Sequence, residues 1–260
     1  MPHVFELRGN VAVANENAAG PWDPGMQHGS APSSLIAWWV EQRMETRVPM
    51  QVARMTFDLL RPVPIAPLEI KSEIVREGRK IQVIEVHLLA GETEVVRASI
   101  LKVRNDTLPL PADVNAPPLD LPSPKQGAVA QRTGERTNPF ITGLEMRVVK
   151  GAGFGSPGPA AVCCKAKRPI ISGEVNTPLM RTTIAGDFCN GVSSVLDFRK
   201  WSFINADLTI SLSRMPVDDW VLLDAETWLG DHGAGIAFAR LGDSKGYFGR
   251  AIQSLVIEKR

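Results

Sequence analysis

The sequence predicts an α+β fold made of two tandem repeats, each with one helix and an antiparallel sheet. Three observations lead to this prediction. Each half of the 260-residue chain has helix-spaced apolar residues followed by strand-like alternation. Short turn signals separate the strand-like segments, so neighbouring strands are expected to form hairpins. A proline-rich stretch lies between the halves, and one constant offset relates their strands.

The first repeat is predicted to span residues 1–104. A strand is expected at 3–13 and a helix at 31–46, with Ser30 as its cap and Pro32 in its first turn. The sheet that follows could wrap around this one helix. Its strands are predicted at 50–60, 68–77, 80–90 and 93–103.

Residues 105–138 are predicted to be a linker. They contain the stretch LPLPADVNAPPLDLPSPKQG, which is rich in proline. Proline lacks a backbone N–H and cannot join the interior of a sheet. We therefore expect a mostly extended connection between the two repeats.

The second repeat is predicted to span residues 139–260 and to contain a helix and strands in a similar order. A helix is expected at 180–198, with a break near Gly186. Turn signals separate the later strands. The strands of this repeat are predicted at 141–150, 160–167, 203–212, 220–228, 234–241 and 247–257.

A constant offset supports the repeat. Arg61 and Arg214 lie in similar segments and are 153 positions apart. Arg97 and Arg250, in a second pair of similar segments, have the same spacing. Two distant segments that share one offset are better evidence of a repeat than either segment alone.

The strand offset singles out two polar residues of the second half. Asn205 corresponds to Val52 of the first half, and Gln253 corresponds to Ile100. Polar side chains on buried sheet faces are costly unless they have partners. These residues are therefore predicted to bind each other and a ligand, with a solvent-facing position as the alternative.

The helices require a slightly larger offset. PSSLI at 32–36 resembles VSSVL at 192–196, which a difference in loop length would explain. This comparison places Asp187 near the start of the second helix, opposite Met26 or Gln27 of the first half. Asp187 is thus a third polar residue found in only one repeat.

Composition argues against several classes of partner. The net charge is +1 and no basic face stands out, so nucleic acid is not expected. No apolar run is long enough for a membrane span, and the N-terminus does not resemble a signal peptide. Three cysteines suggest neither a disulfide framework nor a metal site, so a reduced cytoplasmic protein without cofactor or metal is expected.

Four segments carry a resemblance to a known family: PWDPGMQHGSAPSSL, AGDFCNGVSSVLDFRKWSFINADLTI, WVLLDAETWLG and GRAIQSLVIEKR. In this ordered set the chain resembles the acyl-CoA thioesterase II family of double-hotdog proteins, and more closely its thioesterase-like branch. The resemblance implies two hotdog folds in one chain. In each, a long helix is wrapped by an antiparallel sheet, and the two sheets join side by side.

The family's catalytic trio maps onto three residues of this sequence. The resemblance implies that Asp187, Asn205 and Gln253 hold a water that hydrolyses an acyl-CoA thioester to free acid and CoA. The chain departs from the family at Asn205, two before Asp207, where other members have threonine or serine. By analogy, the protein is expected to be a homodimer.

The oxyanion of this reaction needs preorganised donors. The best candidates are Gly29 and Ser30 at the start of the first helix, where free N–H groups and the helix dipole favour negative charge. His28 and Gly191 are candidate substrate-binding residues. Gly29 could instead be a turn glycine, and His28 a capping or solvent-exposed residue.

Two rival functions remain open. A hotdog dehydratase or hydratase normally uses a histidine beside an acid, and the one histidine of the second half, His232, is predicted far from Asp187. A non-catalytic acyl-thioester-binding protein is the other rival, supported by the departure at Asn205. A serine hydrolase is not expected because G-x-S-x-G is absent. Acyl chain length, and CoA against acyl carrier protein as the carrier, stay open.

Overall fold

A computed structural model of the chain describes residues 2–111, 114, 117–130, 138–155 and 157–260. Its helices are α1 (Ser30–Gln42), α2 (Pro139–Thr142), α3 (Pro178–Gly186) and α4 (Cys189–Ser193). Its strands are β1 (Phe5–Arg8), β2 (Val11–Ala14), β3 (Met50–Leu59), β4 (Pro67–Glu77), β5 (Ile81–Ala90), β6 (Thr93–Arg104), β7 (Ala128–Val129), β8 (Leu144–Lys150), β9 (Ala160–Ala166), β10 (Trp201–Asn205), β11 (Asp207–Leu212), β12 (Trp220–Leu229), β13 (Ala234–Asp243) and β14 (Gly246–Lys259).

In the described part of the chain, the strands form one large antiparallel sheet of 14 strands. The order is β1-β2-β4-β5-β6-β3-β11-β14-β13-β12-β9-β8-β7, and β10 also pairs with β14. The predicted antiparallel arrangement is therefore confirmed. Among the described residues, no helix is both long and apolar enough to cross a membrane.

Strands β3 and β11 join the two halves edge to edge. Thr56 pairs with Thr209, and their hydroxyl oxygens lie 3.2 Å apart. These two threonines are separated by the same 153 positions that relate the repeats in the sequence. Thr56 and Thr209 are therefore equivalent residues of the two repeats that face each other at the centre of the junction, as expected for a pseudo-twofold contact.

The sheet covers α1 and α3, which pack against each other on its inner side. Helix α1 is buried over most of its length because it is apolar on several sides, with Leu35, Ile36 and Val40 fully enclosed. Each such side chain contributes about 1.5–3 kcal/mol by leaving water. Most of the buried apolar residues of both halves form one continuous cluster.

The N-terminal segment differs from its prediction. The strand expected at 3–13 is a hairpin, in which β1 and β2 pair from Phe5–Ala14 to Arg8–Val11. Gly9 lies at the turn with φ of 64°, a conformation that is strained for other residues. The alternation of apolar residues continued through this turn, so periodicity alone did not reveal it.

The helices are shorter than predicted. Helix α1 begins at Ser30, with Gly29 rather than Ser30 as its cap, and ends at Gln42 rather than near residue 46. The helix expected at 180–198 is the nine-residue α3 followed by the five-residue α4. The predicted break near Gly186 is confirmed, but among the described residues the predicted long helix in each half is not found.

The offset proposed for the helices is wrong. Asp187 follows the last residue of α3, whereas Met26 and Gln27 precede α1, so these positions do not correspond. Helix α4 ends at Ser193, so most of segment 192–196 lies outside it, whereas segment 32–36 lies within α1. The serine pair that the two segments share therefore does not mark equivalent positions.

The start of the second half also differs. Ile141 belongs to α2, and β8 begins only at Leu144. Within the predicted linker 105–138, the described residues include a short 3-10 turn at Pro124–Gln126 and strand β7 beside β8. The rest of that prediction at 112–113, 115–116 and 131–137 lies outside the described residues.

Candidate active site

Asp187 lies at the C-terminal end of α3 with its carboxylate buried. The helix begins where its sequence favours a start, because Thr177 accepts a hydrogen bond from the Met180 N–H at 3.2 Å and Pro178 follows it. Asp187 caps the other end of the helix, and its side chain is only 4% exposed. A carboxylate this deeply buried requires hydrogen-bonding partners.

The start of α1 supplies the first of these partners. The Ser30 hydroxyl donates to Asp187 Oδ2 at 3.0 Å and also lies 3.2 Å from the Ile184 carbonyl oxygen. Gly29 sits directly against the carboxylate, since a Cβ added there would be 2.9 Å from both Oδ atoms. The negative charge therefore lies at a helix N-terminus, where the helix dipole stabilises it.

Asn205 reaches the site because the strand carrying it is irregular. Asn205 pairs with Leu255 of β14, yet Thr209 pairs with Ile252, so the β10–β11 segment has one residue more than the segment facing it. The extra residue is Ala206, which separates the two strands. Such a bulge reverses the alternation of side chains between the faces of the sheet.

The reversal turns Asn205 inward and Ile204 outward. The Asn205 amide donates to Asp187 Oδ1 at 3.1 Å, while Ile204 is 47% exposed. In a regular strand Ile204 would share the inner face with Leu208. The solvent-facing alternative for Asn205 is therefore wrong, and the predicted meeting of Asn205 with Asp187 is confirmed.

Gln253 is fully buried on β14 and fixes Asp187 from a third side. Its Oε1 accepts the Asn190 N–H at 3.1 Å, which assigns the orientation of the amide. Its Nε2 then donates to Asp187 twice, to the backbone oxygen at 2.9 Å and to Oδ1 at 3.1 Å. The solvent-facing alternative for Gln253 is likewise wrong.

His28 lies beside Asp187 and is not a solvent-exposed loop residue. Its Nδ1 is 3.1 Å from Asp187 Oδ2 and 3.2 Å from the Ser30 backbone nitrogen. The ring is held between Phe140 and Phe188, at centroid distances of 5.0 and 4.7 Å. His28 therefore lies beside Asp187. The prediction that no histidine accompanies this acid considered only His232, the histidine of the second half, and is wrong.

Asn190 is a site residue that the sequence did not predict. Its side-chain nitrogen donates to the Phe203 carbonyl oxygen at 2.9 Å, while its backbone N–H holds Gln253. Among the described residues, its buried Oδ1 has no hydrogen-bond partner. The one feature of the sequence that pointed to Asn190 was its position three residues after Asp187.

Two further residues lie in α4, just after Asp187 in the chain. A Cβ added at Gly191 would meet the ring of Phe154 at 3.2 Å, and the substrate-binding role of Gly191 stays a prediction. Cys189 is completely buried, and burial, with the charge of Asp187 as a smaller cause, raises the pKa of its thiol well above the usual value. Such a thiol is a poor nucleophile.

Within the described residues, one group has the spacing of a metal site, away from Asp187. Glu73, Glu85 and His87 on β4 and β5 offer ligand atoms that all lie within 4.8 Å of one another. His87 already bonds to Glu94 at 2.6 Å. It also lies 3.9 Å from Glu85, so the histidine forms ion pairs at the surface, and no metal role is assigned to this group.

The assembled site suits general-base chemistry. One buried carboxylate accepts hydrogen bonds from the hydroxyl of Ser30 and the amides of Asn205 and Gln253. An imidazole adjoins it, and a helix N-terminus faces it. A carboxylate positioned in this way can take a proton from a bound water.

Comparisons with known families agree on both halves of the chain. The model of an acyl-CoA thioesterase N-terminal domain matches residues 18–103. The model of an acyl-CoA thioesterase C-terminal domain matches residues 114–257. No curated protein sequence matches the chain.

Solved structures share the fold at low sequence identity. A proposed thioesterase II of Thermobifida fusca is 14% identical with a TM-score of 0.77, and a protein of Alicyclobacillus acidocaldarius described with a hot dog fold is 13% identical at 0.76. An acyl-CoA thioesterase II of Mycobacterium marinum is 12% identical at 0.70. Each comparison covers 98% of this chain and 95% of the other. At these identities the likeness shows the fold alone.

Proposed function

Because the chain belongs to the acyl-CoA thioesterase family, we propose that it hydrolyses an acyl-CoA thioester to a free acid and CoA. One observation carries the proposal. The buried Asp187 carboxylate is held by Asn205 and Gln253 against the start of α1. Family and fold support the reaction class, and the geometry supports these residues as the catalytic group.

In the proposed reaction, Asp187 acts as the general base. A water beside its carboxylate gives up a proton as its oxygen attacks the thioester carbonyl. Collapse of the tetrahedral intermediate breaks the C–S bond, and the CoA thiolate leaves and takes a proton. Asn205 can orient the water, since its side-chain oxygen is an acceptor and its nitrogen already holds Asp187 Oδ1.

Gln253 is proposed to position Asp187. Its side-chain nitrogen is not expected to bind the water directly. Both N–H groups of its Nε2 are used on Asp187, and its Oε1 accepts the Asn190 N–H. It therefore fixes the carboxylate and links it to α4. A second lone pair on Oε1 is still able to accept a proton of the water.

The oxyanion is proposed to form at the start of α1. The Ser30 N–H points at His28 Nδ1, with the two nitrogens 3.2 Å apart, so the Gly29 N–H is the better candidate donor. Gly29 has no side chain to block the approach of the thioester to Asp187. The dipole of α1 adds to the stabilisation of the developing negative charge.

The replacement of threonine or serine by Asn205 is proposed to preserve the reaction class. The amide keeps a donor to Asp187 at 3.1 Å. It adds an acceptor and extra length, so rate and substrate range are the properties expected to differ.

The test is thiol release from a panel of acyl-CoAs, from two to sixteen carbons plus an aryl-CoA. Asp187→Asn keeps the shape of the site but removes the base, so hydrolysis should fall by about 100-fold or more. Glu41→Gln is the matched control, because Glu41 lies in the last turn of α1 and accepts a hydrogen bond from Thr177 at the start of α3. This control should retain full activity.

The same panel separates an enzyme from a binder. If wild type releases no thiol from any substrate yet binds acyl-CoA saturably in calorimetry, the protein is a non-catalytic acyl-thioester-binding protein and the proposal is wrong. Running the panel with acyl carrier protein thioesters as well identifies the carrier.

A dehydratase or hydratase is the second candidate, favoured by one observation. His28 Nδ1 lies 3.1 Å from Asp187 Oδ2, which gives the site the histidine and acid that this chemistry requires. Incubation with a hydroxyacyl-CoA or an enoyl-CoA distinguishes the reactions. A change in enoyl absorbance without thiol release would favour the second candidate over the first.

The wider organisation is part of the proposal. We take residues 1–104 and 139–260 as the two units of a double hotdog and 105–138 as their linker, supported by the pairing of Thr56 with Thr209. A homodimer and a cytoplasmic location also stay predictions. Analytical ultracentrifugation and localisation of a tagged chain would test them.

A further inference from the structure

We infer that His28 and Asp187 share one proton, and that His28 is a positioning residue that keeps Asp187 in the form that accepts a proton from water. The inference rests on the proposed function, since a base is needed only if water attacks the thioester. It assigns His28 to the carboxylate rather than to the substrate.

The contact between the two side chains requires a proton. Unprotonated Nδ1 of His28 and ionised Oδ2 of Asp187 are both acceptors, and they lie 3.1 Å apart. The Ser30 N–H, 3.2 Å from the same nitrogen, can bond to it only when that nitrogen is bare. Nδ1 therefore has two uses, as an acceptor for Ser30 and as a donor to Asp187.

Charge balance favours the donor arrangement when Asp187 is ionised. In the part of the chain that the structure describes, His28 is the one basic side chain within ion-pair distance of this carboxylate. The remaining partners, Ser30, Asn205 and Gln253, are neutral donors. A buried charge without a counter-charge is expensive, so protonated His28 stabilises the ionised form of Asp187.

The ring has little freedom to leave this position. Phe140 stacks on one side with an interplanar angle of 13°, and Phe188 lies at 33° to it. Phe188 directly follows Asp187 in the chain, whereas Phe140 belongs to α2. The histidine side chain is 11% exposed, so solvent competes weakly for its nitrogen.

The proton balance over one turnover is simple. The Asp187 carboxylate takes one proton from the attacking water. When the C–S bond breaks, Asp187 gives this proton to the departing thiolate. The imidazole of His28 ends the turnover in the protonation state in which it began. No oxidant, metal or further reactant is needed.

Other titratable groups lie on the elements next to the ring. Arg168 donates to the Pro139 carbonyl oxygen and to Thr142 at the ends of α2, which carries Phe140. Cys189 is buried beside Asp187 with a raised pKa and stays protonated. In the loop of His28 itself, Asp23 is exposed and accepts the Gly25 N–H. In the described part of the chain, none of these groups forms a hydrogen bond or an ion pair with the His28 nitrogens.

The experiment compares His28→Ala with His87→Ala in the full-length protein. His87 is the matched control because its Nδ1 also contacts a carboxylate, that of Glu94 at 2.6 Å, but on the outer side of the sheet. The kcat of His28→Ala for thiol release should fall by about 100-fold, and the acid limb of its pH–rate profile should move to higher pH. His87→Ala should keep the wild-type profile.

Chemical rescue separates this role from simple packing. His28→Ala leaves a gap between Phe140 and Phe188 that small rings can enter. Added 4-methylimidazole and imidazole should restore the rate in order of basicity, whereas thiazole, a ring of the same size but a far weaker base, should not. His28→Phe keeps the ring without nitrogen and should remain as slow as His28→Ala.

The outcomes are distinct. Wild type without thiol release would mean that the proposed function fails. Active wild type with His28→Ala or His28→Phe as active as His87→Ala would overturn this inference alone. Equal rescue by thiazole and imidazole would also overturn it, because the ring would then only fill space.

Discussion

At the scale of single residues, the site depends on close approach. Gly29 is needed because the Asp187 carboxylate occupies the space where a side chain would begin. Gln253 is needed because one amide satisfies three groups at once: two oxygens of Asp187 and the N–H of Asn190. Buried polar groups joined in this way are strong together and costly to leave unpaired.

Gly29→Ala should therefore impair catalysis. The new methyl carbon would lie 2.9 Å from both carboxylate oxygens, and Asp187 cannot move without losing hydrogen bonds. We expect a loss of about 100-fold in kcat, because small misplacements of a catalytic group have effects of this size. Steady-state thiol release measures it.

Gly78→Ala is the control for this change. A Cβ at Gly78 would meet only the Ile81 carbonyl oxygen, at 3.4 Å, which is an ordinary contact. Equal activity of the two variants would show that the space beside Asp187 is not critical.

At the scale of elements, one extra residue decides which side chain faces the site. Ala206 interrupts β10 and β11, its N–H donating to Ser254 and its carbonyl oxygen accepting from Leu59. The strand prediction at 203–212 assumed regular alternation and missed the bulge. That alternation would have placed Ile204 inside and Asn205 outside.

Deletion of Ala206 should turn Asn205 out of the site. If β11 keeps its pairing with β3, Ile204 takes the inward position beside Asp187. Thiol release should then fall to the level of Asn205→Ile, which makes the same replacement without changing chain length. Retained activity in the deletion variant would contradict this account of the bulge.

The strands, and not the helices, explain why the two pseudo-equivalent positions differ. The carboxylate at the end of each helix meets a hydroxyl at the start of the other: Asp187 meets Ser30, and Glu41 meets Thr177. The surroundings differ, because the strand offset places Val52 and Ile100 where the second half has amides. The pseudo-equivalent position has a carboxylate but no amides to hold it.

At the scale of the whole molecule, the site exists only because the halves are joined. Gly29 and Asp187 come from different halves, and β3–β11 pairing fixes the distance between them. The continuous core makes the halves mutually dependent for stability. Buried polar pairs in the second half add to this stability.

Asp243 provides a measurable example. Burial alone would raise its pKa, but hydrogen bonds from Arg214, the Val217 N–H and the Lys245 N–H lower the pKa below its ordinary value. A carboxyl whose pKa is lower when folded contributes stability above its unfolded pKa, and this contribution is lost as pH falls through its folded pKa.

Asp243→Asn should cost about 3 kcal/mol at neutral pH, because Arg214 then loses a partner held by two bonds of 2.7 Å. The difference from wild type should begin to shrink below about pH 4, where the carboxyl takes up a proton in the unfolded chain, and should shrink further as pH falls through the lower folded pKa. Urea unfolding from pH 7 to pH 3 measures both effects. A difference that stays constant over this range would contradict the linkage.

The sequence by itself determined the first-half strands from β3 to β6 and the polar residues Asn205 and Gln253, through local alternation and a comparison of two halves of the same chain. Asp187 came from the resemblance to a known family, because the helix offset that also pointed to it was wrong. The tertiary structure decided the bulge at Ala206 and the position of His28 beside an acid 159 residues away. These features depend on contacts between segments that are distant in the chain, and local periodicity carries no information about such contacts.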